Sequence, residues 1–285
     1  MRDEGRMQRT DAGEAAARLD ALERAHPEWR PWVELLRVTF STAANPAADV
    51  LLPDDGLHVS VPGDPLLHGR MVRVDARRLE RRLECLGELV GLGPVAEPDV
   101  LELVRAAVRQ DGTAIERVAQ ASGSDPGVLE TVVNLAVWPL LQACGRALQD
   151  QIPPGWTQGY CPVCGAWPVL AELRGLERAR CLRCGRCGAD WERPRLACAY
   201  CDERDHTRLG SLVIAGRLEG RMVETCVTCH GHLKSHTTLL ALAPSELLVA
   251  DLETVELDLA AWERGFRRPS RPGYLVALRL TRVEP

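Results

Sequence analysis

Apolar positions in residues 1–155 recur at spacings of three and four, the spacing of helices that bury one face. In the first stretch these positions are Leu19, Leu22, Trp29, Trp32, Leu35 and Leu36. Pro27 and Pro31 divide that stretch into two helices. Further helices are predicted after Asp75, near 99–110, near 113–121, and from Pro126 towards Leu148. This half of the chain is therefore predicted to be an all-α domain.

Residues 156–235 have short apolar runs separated by turns, a pattern typical of small hairpins. Strands are predicted on both sides of the turn Arg174-Gly175 and again within 209–214. After residue 240 the pattern predicts one more helix, and 274–280 is a more strand-like tail.

The hairpin region contains four Cys-x-x-Cys pairs, which hold eight of the eleven cysteines. The pairs are Cys161/Cys164, Cys184/Cys187, Cys198/Cys201 and Cys226/Cys229. A pair on a tight turn directs both sulfurs to one point, and two such turns complete a tetrahedron of thiolates. Four pairs therefore predict two metal ions per chain, each in a four-cysteine site.

Sequential pairing gives two sites, although the spacing also permits an interleaved arrangement. Site 1 would then contain Cys161, Cys164, Cys184 and Cys187, and site 2 would contain Cys198, Cys201, Cys226 and Cys229. Cys181 stands three residues before Cys184, so spacing alone also allows Cys181 as an alternative ligand. Four thiolates suit either zinc or iron, and the metal stays open.

The pattern predicts an α+β fold in four parts. An N-terminal all-α helical domain at 1–155 is followed by two tandem rubredoxin-like or zinc-ribbon modules, and then by a C-terminal helix and tail. The first metal-binding module is predicted at 156–196, the second at 197–240, and the C-terminal helix and tail at 241–285.

The N-terminal twenty residues are polar and charged, without the apolar region of a signal peptide. The longest mostly apolar stretch, Val132 to Cys144, is short for a membrane span and contains Asn134 and Pro139. We therefore expect a cytoplasmic protein with no membrane span. In that compartment thiols stay reduced, and clustered cysteines are metal ligands more often than disulfides.

Several functional classes fit the sequence poorly. Nucleic acid is not expected as a partner, because the net charge is −5 and aromatic residues make up only 4% of the chain. No nucleophile with a neighbouring base is recognisable, and a metal bound by four sulfurs has no open position for substrate, so we expect no enzyme. A nucleic-acid-binding zinc ribbon and a rubredoxin-like electron-transfer protein remain as alternatives.

The motifs around the cysteines resemble the formate dehydrogenase accessory protein family, FdhE. The resemblance rests on an ordered series of motifs: Tyr160-Cys-Pro-Val-Cys-Gly165, Pro168, a Cys-x-x-Cys four residues before Trp191, Arg195, Cys198-x-x-Cys201, and Cys226-Val-Thr-Cys229-His-Gly-His-Leu-Lys234. Counting back from Trp191, the family pattern selects Cys184 and Cys187 as the second pair.

The resemblance implies a cytoplasmic, chaperone-like maturation protein that binds the catalytic subunit of a formate dehydrogenase and assists its assembly or activation. It also implies two rubredoxin-like metal centres, and it raises iron to a serious rival of zinc. Trp191 and Arg195 become candidate partner-binding residues. Lys234 joins them because it is the only lysine among 35 basic residues. The oligomeric state stays open, a homo-oligomer included.

Overall fold

Helices dominate the first half of the chain, as the apolar spacing predicts. The computed structural model describes residues 4–43, 50–51, 61–93, 97–214 and 220–282. The helices of the first half are Glu4–Ala25 (α1), Arg30–Ala43 (α2), Ala76–Leu89 (α3), Glu97–Arg109 (α4), Gly112–Ser122 (α5) and Pro126–Leu148 (α6). Pro27 begins a short 3-10 turn between α1 and α2, because its fixed φ suits the first turn of a helix.

The chain divides into two compact units, and the tail contributes to both. The helical unit comprises Met1–Ser60, Leu67–Leu148 and Leu275–Pro285, and the second unit comprises Val61–Leu66 and Gln149–Tyr274. In the helical unit a small sheet joins Val50–Leu51 (β1), Met71–Val74 (β2) and Arg279–Arg282 (β9). Strand β9 pairs in parallel with β2, so the tail does contain a strand, but the strand begins later than the predicted 274–280 and overlaps it only at 279–280.

Helix α6 is the core of the helical unit. Its buried residues surround the helix, among them Leu129, Val133, Val137 and Leu141. The helix is longer than the apolar stretch Val132–Cys144, since neither Asn134 nor Pro139 ends it. With its 3-10 extension, Pro126–Gln151 is long and apolar enough to cross a membrane, at a mean hydropathy of 1.3. However, 61% of its most apolar window is buried, as in the core helix of a folded unit.

The second unit is built on one six-stranded sheet. Its strands are Leu170–Arg174 (β3), Ala179–Arg183 (β4), Asp190–Glu192 (β5), Leu209–Leu212 (β6), Arg221–Cys226 (β7) and His232–Thr238 (β8). Their order is β5-β4-β3-β8-β7-β6. The parallel pair β3 and β8 joins the strands of the two predicted modules, while the other pairs are antiparallel. With the helical unit, this gives the predicted α+β architecture.

Two helices cover one face of this sheet, where the sequence predicts a single C-terminal helix. They are Pro244–Glu253 (α7) and Val255–Glu263 (α8). The break falls at Thr254, whose φ of −115° is not helical. The buried hydroxyl of Thr254 donates to the carbonyl of Ala250 at 2.7 Å. Helix α7 packs on Leu170 through Leu247, and α8 packs on Val223 through Leu257.

Candidate metal centre

Four turns of the same construction carry the paired cysteines. In each turn the backbone N–H of the first cysteine donates to the carbonyl five residues later. The four bonds run from Cys161 to Ala166 (2.8 Å), Cys184 to Ala189 (2.9 Å), Cys198 to Glu203 (2.8 Å) and Cys226 to Gly231 (3.0 Å). The common bond closes each loop tightly, so that both sulfurs of a pair point the same way.

The residue after the second cysteine has a positive φ in every turn. Glycine occupies this position in site 1, at Gly165 (φ 74°) and Gly188 (φ 78°), as expected where the chain must turn left-handed. Site 2 has Asp202 (φ 57°) and His230 (φ 54°) instead. The turn thus gives His230 a backbone role. Among the described residues, both candidate metal clusters consist of cysteines alone.

The structure brings the eight sulfurs together in the sequential arrangement. Within each group of four, the sulfur atoms all lie within 4.8 Å of one another. In site 1 the Sγ atoms of Cys161 and Cys187 are 3.4 Å apart, and those of Cys164 and Cys184 are 3.5 Å apart. In site 2 Cys198 and Cys229 are separated by 3.6 Å, and Cys201 and Cys226 by 3.8 Å.

These separations fit a metal ion at the centre of each group. Four sulfurs arranged tetrahedrally at about 2.3 Å from one ion are about 3.8 Å from each other. Backbone N–H groups also point at the sulfurs: Val163 donates to Cys161 Sγ at 3.4 Å, and Tyr200 donates to Cys198 Sγ at 3.4 Å. Such bonds stabilise the thiolate form that a metal requires. Four sulfur donors with no oxygen or nitrogen donor suit zinc and iron.

Both sites lie at the same end of the sheet. Cys161 and Cys164 precede β3, and Cys184 and Cys187 follow β4, its antiparallel neighbour. Cys226 ends β7, and Cys229 precedes β8, which runs parallel to β3. The two sites differ in exposure, because all four site 1 cysteines are buried whereas Cys201 and Cys229 of site 2 are exposed.

The close approach of the four thiols within each group gives some of them very different pKa values. A hydrogen bond from Cys229 lowers the pKa of Cys198 to about 5, and the same contact together with burial raises the pKa of Cys229 well above its ordinary value. In site 1, contacts from Cys161 and the other two thiols lower the pKa of Cys184, while burial raises the pKa of Cys161. A cation at the centre would favour the thiolate form of all four.

Cys181 lies outside both groups of sulfurs. It belongs to β4, where it pairs with Glu172 of β3 and with Glu192 of β5. Its side chain is buried, and burial raises the pKa of its thiol. The arrangement therefore contains Cys184 and Cys187, the pair that the family pattern selects.

Lys234 is completely buried, at 0% exposure, in the centre of a charged cluster under α7 and α8. Its Nζ lies 2.7 Å from Asp251 Oδ1 and 2.6 Å from Asp258 Oδ2, and it donates to the Asp251 carbonyl at 2.6 Å. Arg268 contacts the same two carboxylates, and His232 Nε2 lies 2.9 Å from Asp258 Oδ1. Although burial opposes ionisation, His232 and the cations Arg268 and Lys234 hold the pKa of Asp258 well below its usual range. Lys234 thus contacts carboxylates of its own chain.

The other two candidate partner-binding residues occupy different environments. Trp191 is buried in β5 opposite Leu182. Arg195 is exposed and lies on the rim of a groove beside site 2. Arg195 makes no ion pair or hydrogen bond with any residue that the structure describes. Among Trp191, Arg195 and Lys234, only Arg195 presents a charged group at the surface of the described chain.

Sequence reasoning missed several residues that hold the site. Glu172 is fully buried and accepts from Arg174, Arg183 and the Leu242 N–H, which ties β3 and β4 to the chain before α7. Gly231 lets the Tyr200 ring approach, since a Cβ at Gly231 would lie 2.5 Å from that ring. The sequence signal available for Glu172 was a charged residue between the apolar residues of β3. The close approach at Gly231 arises between segments thirty residues apart and leaves no local pattern.

Part of the chain is similar in sequence to proteins named FdhE homologs. The homolog from Stutzerimonas stutzeri is 38% identical over 124 residues, which cover 42% of this chain and 39% of that protein. The homolog from Aquifex aeolicus is 34% identical over 122 residues, 41% of each protein. A longer match, to the homolog from Edwardsiella ictaluri, is 29% identical over 206 residues, 68% of this chain and 64% of that protein. The first two matches thus span about two fifths of the relatives' length.

A solved structure extends the similarity to the fold of nearly the whole chain. The crystal structure of the FdhE protein from Pseudomonas aeruginosa matches with a TM-score of 0.53 at 21% identity, covering 93% of this chain and 95% of that one. No protein-family model matches the chain. The named relatives agree with the resemblance that the cysteine motifs indicate, and the solved structure shows that this chain has the same fold as an FdhE protein.

Proposed function

We propose that this chain is an accessory protein for a formate dehydrogenase, acting in the cytoplasm by binding the catalytic subunit of that enzyme during assembly or activation. The observation that carries the proposal is the similarity of the chain to FdhE homologs, together with the two groups of four sulfurs that it contains. Sites with four cysteine ligands leave no open position on the metal, which favours a structural role over catalysis.

We further propose that the eight cysteines hold two ions per chain, either iron or zinc. Cys161, Cys164, Cys184 and Cys187 would hold one ion, and Cys198, Cys201, Cys226 and Cys229 would hold the other. The ions would fix the four turns at one end of the sheet and so stabilise strands that are only three to seven residues long. The same strands position the surface around Arg195 for a partner.

A pull-down from the native host tests the proposal. The tagged chain should retain the catalytic subunit of a formate dehydrogenase, identified by mass spectrometry, and metal analysis of the same sample should find about two ions per chain. A visible absorption spectrum separates iron bound by thiolates, which is coloured, from zinc, which is not. Recovery of nucleic acid without a dehydrogenase subunit would overturn the proposal.

Electron transfer is the second candidate, and the exposure of site 2 favours it. Cys201 and Cys229 reach the surface, so an iron ion held there would lie close to solvent and to an electron-transfer partner. A reversible one-electron reduction of the iron in site 2, lost in Cys226→Ser and retained in Cys161→Ser, would support this role. A zinc-only protein purified from the native host would contradict it, because zinc has no redox chemistry in proteins.

A further inference from the structure

Strand β6 forms one edge of the six-stranded sheet, and its outer backbone groups are directed away from β7. The N–H of Val227 donates to the Arg208 carbonyl at 3.0 Å, which fixes the alternation of the antiparallel ladder. With Leu209 opposite Cys226 and Ser211 opposite Glu224, these two residues fall at the positions that do not bond to β7. The two carbonyl groups and the N–H of Ser211 therefore point outward from the edge, whereas the N–H of Leu209 donates to the carbonyl of His206 in the preceding 3-10 turn.

This edge lacks the usual protection against pairing with another strand. Edge strands are commonly blocked by charged residues, proline or a bulge. The sequence Leu209–Leu212 is Leu-Gly-Ser-Leu, with no charge and no proline. Gly210 and Ser211 are both exposed, so the outer side of β6 is accessible in the described chain.

The edge continues into an apolar groove on the face of the sheet opposite α7 and α8. Val223, on the helix side, packs against Leu257, so its neighbours Met222 and Glu224 point to the other face. The groove has a volume of about 270 Å³, and its apolar lining includes Leu173, Leu196, Leu209, Met222 and Leu233. That volume is just below the range of about 300–1,000 Å³ typical of sites for small molecules, and it suits a few side chains of a peptide.

The charged side chains that line the groove favour one kind of bound segment over another. Glu224 is neutralised, because Arg180 donates to its carboxylate at 2.5 Å. Arg195 has no such partner within the described residues, and its guanidinium carries an unneutralised positive charge on the rim. An occupant that places a carboxylate there is therefore favoured over a neutral or basic one.

We propose that β6 and this groove bind an extended segment of a protein partner by strand addition. The segment pairs with the outward backbone groups of Leu209 and Ser211, places alternate apolar side chains in the groove, and meets Arg195 with an aspartate, a glutamate or a terminal carboxylate. The inference rests on the proposed function, since the partner supplying the segment is taken to be the catalytic subunit of the formate dehydrogenase.

Hydrogen exchange of the metal-loaded chain with the purified catalytic subunit tests this directly. Binding should slow exchange of the Ser211 amide by at least about tenfold, while the amides of Gly210, already bonded to β7, and of Leu209, already bonded to His206, serve as internal references. If the subunit binds and the exchange of Ser211 does not change, this inference fails and the proposed function stands. If the subunit does not bind at all, both fail.

Substitutions at the edge provide the second measurement. Ser211→Pro removes the outward N–H without removing a bond to β7, and it should weaken binding about tenfold or more. Ser211→Ala keeps that N–H and should bind like the wild type. Metal content and thermal unfolding show whether the proline variant is folded; if it is not, Arg195→Glu replaces it and should also weaken binding about tenfold.

A second copy of the chain is the rival occupant. If the chain alone dimerises with rising concentration, and if the Ser211 amide becomes protected as it does so, the edge belongs to a homodimer and the proposal is overturned. Monomeric behaviour by sedimentation, with protection only in the presence of the catalytic subunit, supports it.

Discussion

The ammonium group of Lys234 lies 2.6 Å from the Asp258 carboxylate in the interior of the second unit, residues 61–66 and 149–274. Since Lys234 is fully buried, removing its charge leaves Asp251 and Asp258 with Arg268 as their remaining cation. We expect Lys234→Met to lower the free energy of unfolding by about 3–5 kcal/mol, the usual cost of breaking a buried ion pair. Chemical denaturation of the metal-loaded protein measures this change.

Arg117→Met is the matched control for Lys234→Met, because the pair of Arg117 with Glu102 is exposed. It should change the free energy of unfolding by less than about 1 kcal/mol. Lys234 is also the only lysine of the chain, so its modification by an amine reagent reports the opening of this cluster alone. Rapid modification of Lys234 in the native protein would contradict its burial. A direct contact of Lys234 with a partner, as predicted from the sequence, requires the cluster to open.

The arrangement of the sulfurs predicts how cysteine variants lose metal. Cys161→Ser and Cys226→Ser should each lower the metal content by about one ion per chain, because each removes one of four ligands from a different group. Cys181→Ser should keep both ions, since Cys181 lies outside the two groups. Metal analysis by mass spectrometry distinguishes these results. Loss of an ion in Cys181→Ser, with retention in Cys161→Ser, would rule out the assignment of site 1.

The two sites should differ in their resistance to chelators. A chelator reaches the exposed sulfurs of Cys201 and Cys229 directly, whereas site 1 must open before its buried sulfurs can be attacked. We expect Cys161→Ser, which retains only site 2, to release its ion at least about tenfold faster than Cys226→Ser, which retains only site 1. A coloured metal indicator follows both reactions. Equal rates would show that release depends on unfolding of the whole unit.

The sequence indicates local features of the fold much better than it indicates contacts between distant segments. Apolar spacing located α3 to α6, and the Cys-x-x-Cys motif located all four turns, because each depends on neighbouring residues. The parallel pairing of β3 with β8 joins strands about sixty residues apart and has no local signal. Lysine is usually exposed, so a single lysine does not indicate a buried position. Asp251 lies in α7 and Asp258 in α8, so their approach to Lys234 depends on the break at Thr254 and not on the repeat of a single helix.

Gly231 should be necessary for site 2 and dispensable for site 1. A Cβ at this position would lie 2.5 Å from the Tyr200 ring and 3.1 Å from Cys229 Sγ, so Gly231→Ala must displace the turn that carries Cys229. We expect this variant to bind its second ion at least about tenfold more weakly, as measured by competition with a chelator. Gly112→Ala, where the new methyl group meets open space, is the control. Wild-type affinity for both ions in Gly231→Ala would show that the turn adapts without cost.

The stability of the second unit should fall as the pH is lowered from about 6.5 to 4, and His236 should account for part of that fall. Burial, together with the nearby charges of Arg221 and Lys234, lowers the pKa of His236 from 6.5 to about 4. Above pH 6.5 the imidazole is neutral in both the folded and the unfolded chain and contributes no pH dependence. Between these values the unfolded chain binds a proton that the folded chain does not, so acid favours unfolding.

The contribution of His236 amounts to about 3 kcal/mol by pH 4, and it is separable from other acid effects. His236→Leu removes the titrating group at similar size, so its free energy of unfolding should depend less steeply on pH than that of the wild type over this window. Asp251 and Asp258, whose pKa values are lowered, lose their contribution only below about pH 4 and affect both proteins equally. Metal content is measured at every pH, and only conditions with both ions bound are compared. If the free energy of unfolding depended equally on pH in the wild type and in His236→Leu, the protonated His236 ring would have to gain contact with solvent or with a polar partner in the folded chain.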